Sequence, residues 1–287
     1  MTQTQTTENS PIAGPSRRFM QIFDTFTFEF VKNMKKLVIL ILLMGAIFGL
    51  TLVTQILRLN EGLELPDSSE DYVKNYLGLI DIVILLITTT LGGSIIATEF
   101  EKQTGNLVFP KISRERLLTG RLLGVFIQMA ILICLYYSSI GLATLYYYHE
   151  IPTDMWLSLG WALLYGSTVL SFVIFLSSFM RSTAVTVVVA FVMMFLGFSI
   201  IQGIMSITSQ AEPLFSIPYY AYLISSVFNM PETRYMDMTI AISETQSITL
   251  RTWITPSIEA GLWGLSIYCA LFLIGAFVIF KYRQLTH

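Results

Sequence analysis

Six runs of apolar residues, each long enough to cross the hydrocarbon of a bilayer, constrain this chain more than anything else in it. They cover residues 37–57, 76–98, 122–148, 155–180, 183–207 and 257–280, and a spanning helix needs about 20 residues. Backbone in lipid must satisfy its own hydrogen bonds, so each run is expected to be a helix. Composition agrees: 54% of the residues are hydrophobic and 13% are charged, against about 25% charged in soluble domains. Six spans consume most of the 287 residues and leave no room for a large soluble domain. The expectation is an all-α membrane protein in which residues 17–287 form one membrane domain. Residues 1–16 are polar, carry Pro and Gly, and are expected to form a flexible N-terminal tail. No apolar core precedes Arg17, so the start does not read as a cleaved signal peptide.

The basic residues set an orientation. Arg17, Arg18, Lys32, Lys35, Lys36, Lys102, Lys111, Arg114, Arg116, Arg121, Arg181, Lys281 and Arg283 share one side of the six runs, and only Arg58, Lys74, Arg234 and Arg251 lie on the other. The positive-inside rule then puts both termini in the cytosol. Tyr146, Tyr147, Tyr148, Trp156 and Trp253 collect at the outer boundary, as an aromatic belt does. These cations border the spans instead of forming an exposed stripe, so no nucleic-acid partner is expected.

Ahead of the first span, Phe19, Ile22, Phe23, Phe26, Phe30 and Met34 recur at helical spacing opposite Gln21, Asp24, Thr25, Glu29 and Lys32, with Phe28 outside the pattern. This predicts an N-terminal interfacial helix lying among lipid headgroups. On the outer side, residues 58–75 carry Glu61, Glu64, Asp67, Glu70 and Asp71 and read as a solvated acidic loop, with ion binding as the alternative. Residues 213–228 are too often broken to span and too apolar to float in water. They predict short external re-entrant helices before span six, which membrane depth tolerates only under protein cover.

The loop between spans two and three, residues 97–121, is charged and patterned. Residues 99–104 extend the second span as helix until Gly105-Asn106, a pair that ends helices. Pro110 turns Phe109 away from helix, and Ser113 caps a new one with Glu115 in its first turn. Three stretches, Glu99-x5-Gly105, Phe109-Pro110-Lys111-Ile112-Ser113-Arg114 and Leu117-Leu118-x-Gly120-Arg121, together resemble the signature loop of type 2 ABC-transporter permeases. Arg121 stands where that family usually carries Lys, and Lys111 separates Pro110 from Ile112. The resemblance implies a cytosolic coupling helix docking on a separate ABC ATPase, with Glu99, Glu101, Gly105 and Arg114 as ATPase-coupling residues. It implies two ATPase copies holding ATP and Mg, no cofactor in this chain, and a second permease subunit, identical or related, completing a dimeric pathway. It further implies export across a prokaryotic plasma membrane. The chain has no Gly-x4-Gly-Lys-Ser/Thr phosphate loop, so ATP hydrolysis is expected in the partner.

Asp81 and Glu259 are the ionisable residues nearest span interiors, and such residues are pathway candidates by default. Asp81 reads either as a polar contact in a substrate path or as a carboxylate reaching the interface; Glu259 suits a helix N-terminus. Gly45-x-x-x-Gly49 reads either as a dimer face or as intramolecular packing. Met230, Met236 and Met238 read either as soft metal ligands or as an apolar loop. His149 and His287 lie far apart in sequence, and Cys134 and Cys269 sit inside spans, so no metal cluster or disulfide framework is expected. An intramembrane enzyme would need a nucleophile with a base, or a metal, and the spans contain neither a His nor paired carboxylates. A membrane subunit that transmits ATPase work to an external partner without moving a solute shares every feature of the permease reading.

Overall fold

Helices follow the apolar runs and break where Gly, Asn or Ser interrupts them. The computed structural model describes residues 15–62, 65–101, 114–243 and 246–283. Helix α1 (Pro15–Lys32) begins with Pro, whose missing N–H costs nothing in a first turn, and Asn33 separates it from α2 (Met34–Asn60), the first crossing. The second crossing is not one straight helix. It is built from α3 (Ser69–Leu77) and α4 (Ile80–Gly92), bent by 42° at Gly78-Leu79. The helix expected to run on to residue 98 stops at Gly92, and a turn leads into α5 (Ala97–Glu101). Gly92-Gly93-Ser94 is a poor helix sequence.

Helix α6 (Arg114–Tyr148) begins well before its apolar run and at 1.5 Å per residue is about 50 Å long, so it projects beyond the hydrocarbon. Helix α7 (Asp154–Phe179) is the fourth crossing. The fifth consists of α8 (Thr183–Val192), a π-helical turn (Met193–Gly197) and α9 (Phe198–Thr208). The last is α11 (Ile258–Tyr282), capped by Ser257, whose hydroxyl accepts from Ala260 N, with Glu259 in the first turn complementing the dipole. Among the described residues five helices are long and apolar enough to cross a membrane, and there are six if the bent α3–α4 pair is one span.

The core forms around α6 and α7, whose apolar windows are 61% and 67% buried, whereas α2, the fifth crossing and α11 are 17%, 17% and 11% buried. Those three carry broad outward apolar faces. Gly92, Gly166, Gly261 and Gly275 let α7 and its neighbours approach closely; a Cβ on Gly92 would lie 2.8 Å from the Leu170 side chain.

The segments expected on the outer side depart from expectation. Residues 69–77 are an amphipathic helix and not a solvated acidic loop: Ser68 caps α3 by accepting from Asp71 N at 3.1 Å, while Tyr72 and Val73 are fully buried. Tyr148 donates to Pro66 O at 2.6 Å and Ser69 to Glu150 Oε1 at 2.6 Å, which pins α3 to the end of α6. A 3-10 turn (Ile217–Ala221) and α10 (Tyr222–Ser226) follow the fifth crossing and bury Ile217, Tyr219, Tyr220, Leu223 and Ile224. The described residues are mostly helical, as expected of an all-α membrane protein, and the hairpin is the local departure: β1 (Tyr235–Ser243) and β2 (Gln246–Trp253) pair antiparallel in register Tyr235 with Trp253 and Ile240 with Ile248. The strands are rich in Thr and Ile with period-two alternation, which suits a pleated ribbon. Trp253 Nε1 donates to Gln210 O at 3.1 Å and ties the hairpin to the end of α9. Arg251 grips Asp237 with two bonds of 2.8 and 2.9 Å and lies over the Tyr235 ring. These bonds hold the Asp237 carboxyl below the usual carboxylate range.

Candidate functional site

Two glycines on α6 set the geometry at the end of the bundle where α5 stops and α6 begins. A Cβ on Gly120 would lie 2.7 Å from Ile22 O and 2.7 Å from Thr25 Cβ, and one on Gly124 would lie 3.4 Å from Phe26 O. Helix α1 therefore lies directly on α6, and it does so with its polar face. Thr25, Glu29 and Asn33 are buried, whereas Phe23 and Phe28 are 57% and 63% exposed. The expected interfacial helix had Thr25 and Glu29 on a hydrated face; the structure turns them into the protein.

What makes that burial tolerable is a set of partners. Glu29 accepts from Asn33 Nδ2 at 3.1 Å, pairs with Lys32 at 3.3 Å and faces Arg121 Nε at 3.6 Å. Arg121, itself 5% exposed, donates from Nη1 to Ile95 O at 2.9 Å. Gln128 donates to Phe30 O at 3.0 Å, and Arg116 to Gln21 Oε1 at 2.7 Å. Arg121 thus joins α6, α1 and the turn that precedes α5. Lys36 adds a second tie to that turn, donating to Ser94 Oγ at 2.6 Å and to Thr90 O at 3.4 Å.

The loop's other end is fastened to different helices. Ile96 N and Ala97 N donate to Ser177 Oγ of α7 at 3.2 and 2.9 Å, and Ser177 Oγ donates back to Gly93 O. At the end of α5 the Glu101 carboxylate accepts from Thr183 N at 3.2 Å and Thr183 Oγ1 at 3.0 Å, which caps α8. On the same end, Lys281 of α11 pairs with Glu115 of α6 at 3.0 Å, and Arg283 donates to the carbonyls of Ser178 and Met180. Of the residues predicted to couple, Glu101 is placed with its side chain. Glu99 lies on α5 and Arg114 opens α6, but their side chains lie outside the described residues, as do Gly105 and the predicted helical extension past residue 101.

At the opposite end, the α3–α4 bend, the π turn and α10 line an open cavity of about 320 Å³. Asp81 lines it from the first turn of α4, together with Tyr165, Gln202, Tyr222 and Ser225. Gln202 Nε2 donates to Ser216 Oγ, which holds the amide at the cavity edge. Met236 and Met238 sit on one face of the hairpin, both more than half exposed. Among the described residues no three His, Cys, Asp or Glu side chains come together as a metal site.

Residues 52–281 match the family model of ABC-2 family transporter proteins. The chain belongs to that family. No curated relative matches it. As an ABC-2 permease it is the integral membrane subunit of an ABC transporter and works with an ABC ATPase subunit. The loop reading of the sequence named Glu101 for docking, and in the structure its carboxylate bonds to Thr183; the reading passed over Glu29, Lys36 and Ser177. Glu29 was disguised as an ordinary polar-face residue; the one available signal was Gly120-x-x-x-Gly124, a small-residue groove that a second helix can enter.

Proposed function

We propose that this ABC-2 permease forms half of a dimeric export pathway and that two ATPase subunits, holding ATP and Mg, drive it through the 102–113 loop. The observation that carries the reading is the anchorage of that segment's two borders: α5 is bonded through Glu101 to α8, α6 is bonded through Arg121 to α1, and Arg121 also ties α6 to the Ile95 carbonyl in the turn before α5. A partner pressing on the loop would therefore act on the fifth span through Glu101 and on the α1–α6 pair through Arg121. Both termini are cytosolic in this scheme, and Glu99, Gly105 and Arg114 take the docking roles that the signature loop implies. The outward apolar faces of α2, the fifth crossing and α11 supply surface for lipid and for the second permease subunit. Gly45 and Gly49 lie open on α2, where an added Cβ would meet nothing within 4 Å, so packing inside the chain does not occupy them. Asp81 belongs to the pathway side.

The test is ATPase co-purification and substrate-stimulated hydrolysis with Glu101→Lys and Gly105→Pro. Both variants should insert normally and lose coupling or the ATPase itself, because breaking one member of a desolvated pair at an interface costs about 2–5 kcal/mol. Lys35→Glu is the control, since Lys35 is exposed whereas Lys36 bonds to Ser94. Wild-type behaviour of both loop variants in both assays sinks the coupling role. Intact-complex mass should show two permease subunits, and one copy with no related subunit would contradict the dimer.

A further inference from the structure

Asp81 poses a charge problem that the fold leaves open. It is a carboxylate at the start of a membrane-crossing helix, and among the described residues no Lys, Arg or His pairs with it. Its cavity offers hydroxyls, the Gln202 amide and aromatic rings. Asp81 is half-buried, and dipoles of that kind offset only part of the cost of a partly desolvated charge, whereas intramembrane ionisable groups otherwise find a partner.

The walls are built from three interruptions of regular helix: the 42° bend between α3 and α4, the π turn that carries Met194 and Phe195, and the external turn with α10. Helix irregularities of this sort concentrate at functional sites. At about 320 Å³ the space far exceeds the roughly 30 Å³ share of one water and reaches the range of organic-ligand pockets. Leu85, Met194 and Phe195 supply an apolar wall, and Tyr222 supplies a ring able to face a cation.

We infer that this cavity binds an amphipathic monovalent organic cation, an alkyl- or arylammonium, with Asp81 as its counter-charge. The hydrocarbon part packs on the Leu85–Met194 wall, and the hydroxyl of Ser225 and amide of Gln202 hold the polar rim. A bare inorganic ion would leave most of the volume and the whole apolar wall without a partner. The inference deepens the pathway reading of Asp81 and rests on it.

The experiment uses the full-length permease in lipid nanodiscs without ATPase, titrated with radiolabelled benzyltrimethylammonium by equilibrium dialysis against empty nanodiscs. Saturable binding is expected for the wild type, weakened by about tenfold or more in Asp81→Asn and largely restored in Asp81→Glu. Neopentylbenzene, the uncharged molecule of the same shape, should compete poorly. Ser225→Phe narrows the cavity and keeps the carboxylate, so it should also lose binding; this variant carries the test if Asp81→Asn does not purify. Absence of saturable binding to the wild type overturns the inference, as does full affinity in Asp81→Asn or Ser225→Phe, or equal competition by neopentylbenzene. The assay contains no ATPase. A failure here with normal ATPase co-purification removes the ligand class alone, and a failure of co-purification leaves a positive binding result standing.

Discussion

Glu29 and Arg121 face each other with Glu29 fully buried and Arg121 nearly so, and this decides how substitutions at either should behave. Removing one partner strands a desolvated charge at a cost of about 3–5 kcal/mol, whereas replacing both with apolar residues of similar size is often neutral. Glu29→Ala and Arg121→Ala should therefore each melt several degrees below wild type in detergent, and Glu29→Met with Arg121→Met should recover most of the loss. Melting curves of the single variants that overlay wild type would show that the pair is hydrated. Asp237 behaves oppositely because it is exposed. Hydrogen bonds from Arg251 lower its folded pKa, so the pair's contribution is present above the unfolded carboxylate value and is lost only as pH falls through the depressed one. Amide protection in the hairpin should accordingly persist as pH drops through the ordinary carboxylate range and should be weaker in Asp237→Asn throughout. Protection that fades within that range would contradict the ion pair.

At the scale of elements, α1 is held by how closely it can approach α6. Gly120→Val would drive methyl groups into Ile22 O and Thr25, and overpacking of that kind costs about 1–3 kcal/mol. Hydrogen exchange should quicken across α1, with little change in α7 or α11. Gly160→Ala is the matched control, because its Cβ would meet nothing within 4 Å. Equal exchange in the two variants would remove the argument for close approach. The same element explains a reversal of the amphipathic pattern. Helical spacing separated Phe23 and Phe26 from Asp24 and Glu29, but spacing describes two faces without stating which one meets protein. Here α6 brought Arg121 and Gln128 to Glu29 and Phe30 O, and Phe23 and Phe28 were left exposed.

For the whole molecule, the lopsided distribution of basic residues makes a topology prediction, and the structure chooses where to test it. Ser69 is buried and bonded to Glu150, so it is a poor labelling position; Glu70, Glu232 and Arg181 are exposed. In a background lacking Cys134 and Cys269, cysteines at Glu70 and Glu232 should react with an impermeant thiol reagent in intact cells, and one at Arg181 should not. Labelling at Arg181 would invert the orientation.

Helix identity and approximate crossings were legible in the residues themselves, because hydrocarbon forces any apolar run of spanning length into helix. The 42° bend after Leu77, the stop at Gly92 and the hairpin at residues 235–253 were not. Local propensity at those places is weak or divided, and the choice fell to contacts such as Tyr72 against Tyr148 or Trp253 against Gln210. The burial of Glu29 against Arg121 and the cavity beside Asp81 likewise exist only once distant segments meet. Periodicity along a chain records which residues share a face, and only packing decides what that face touches.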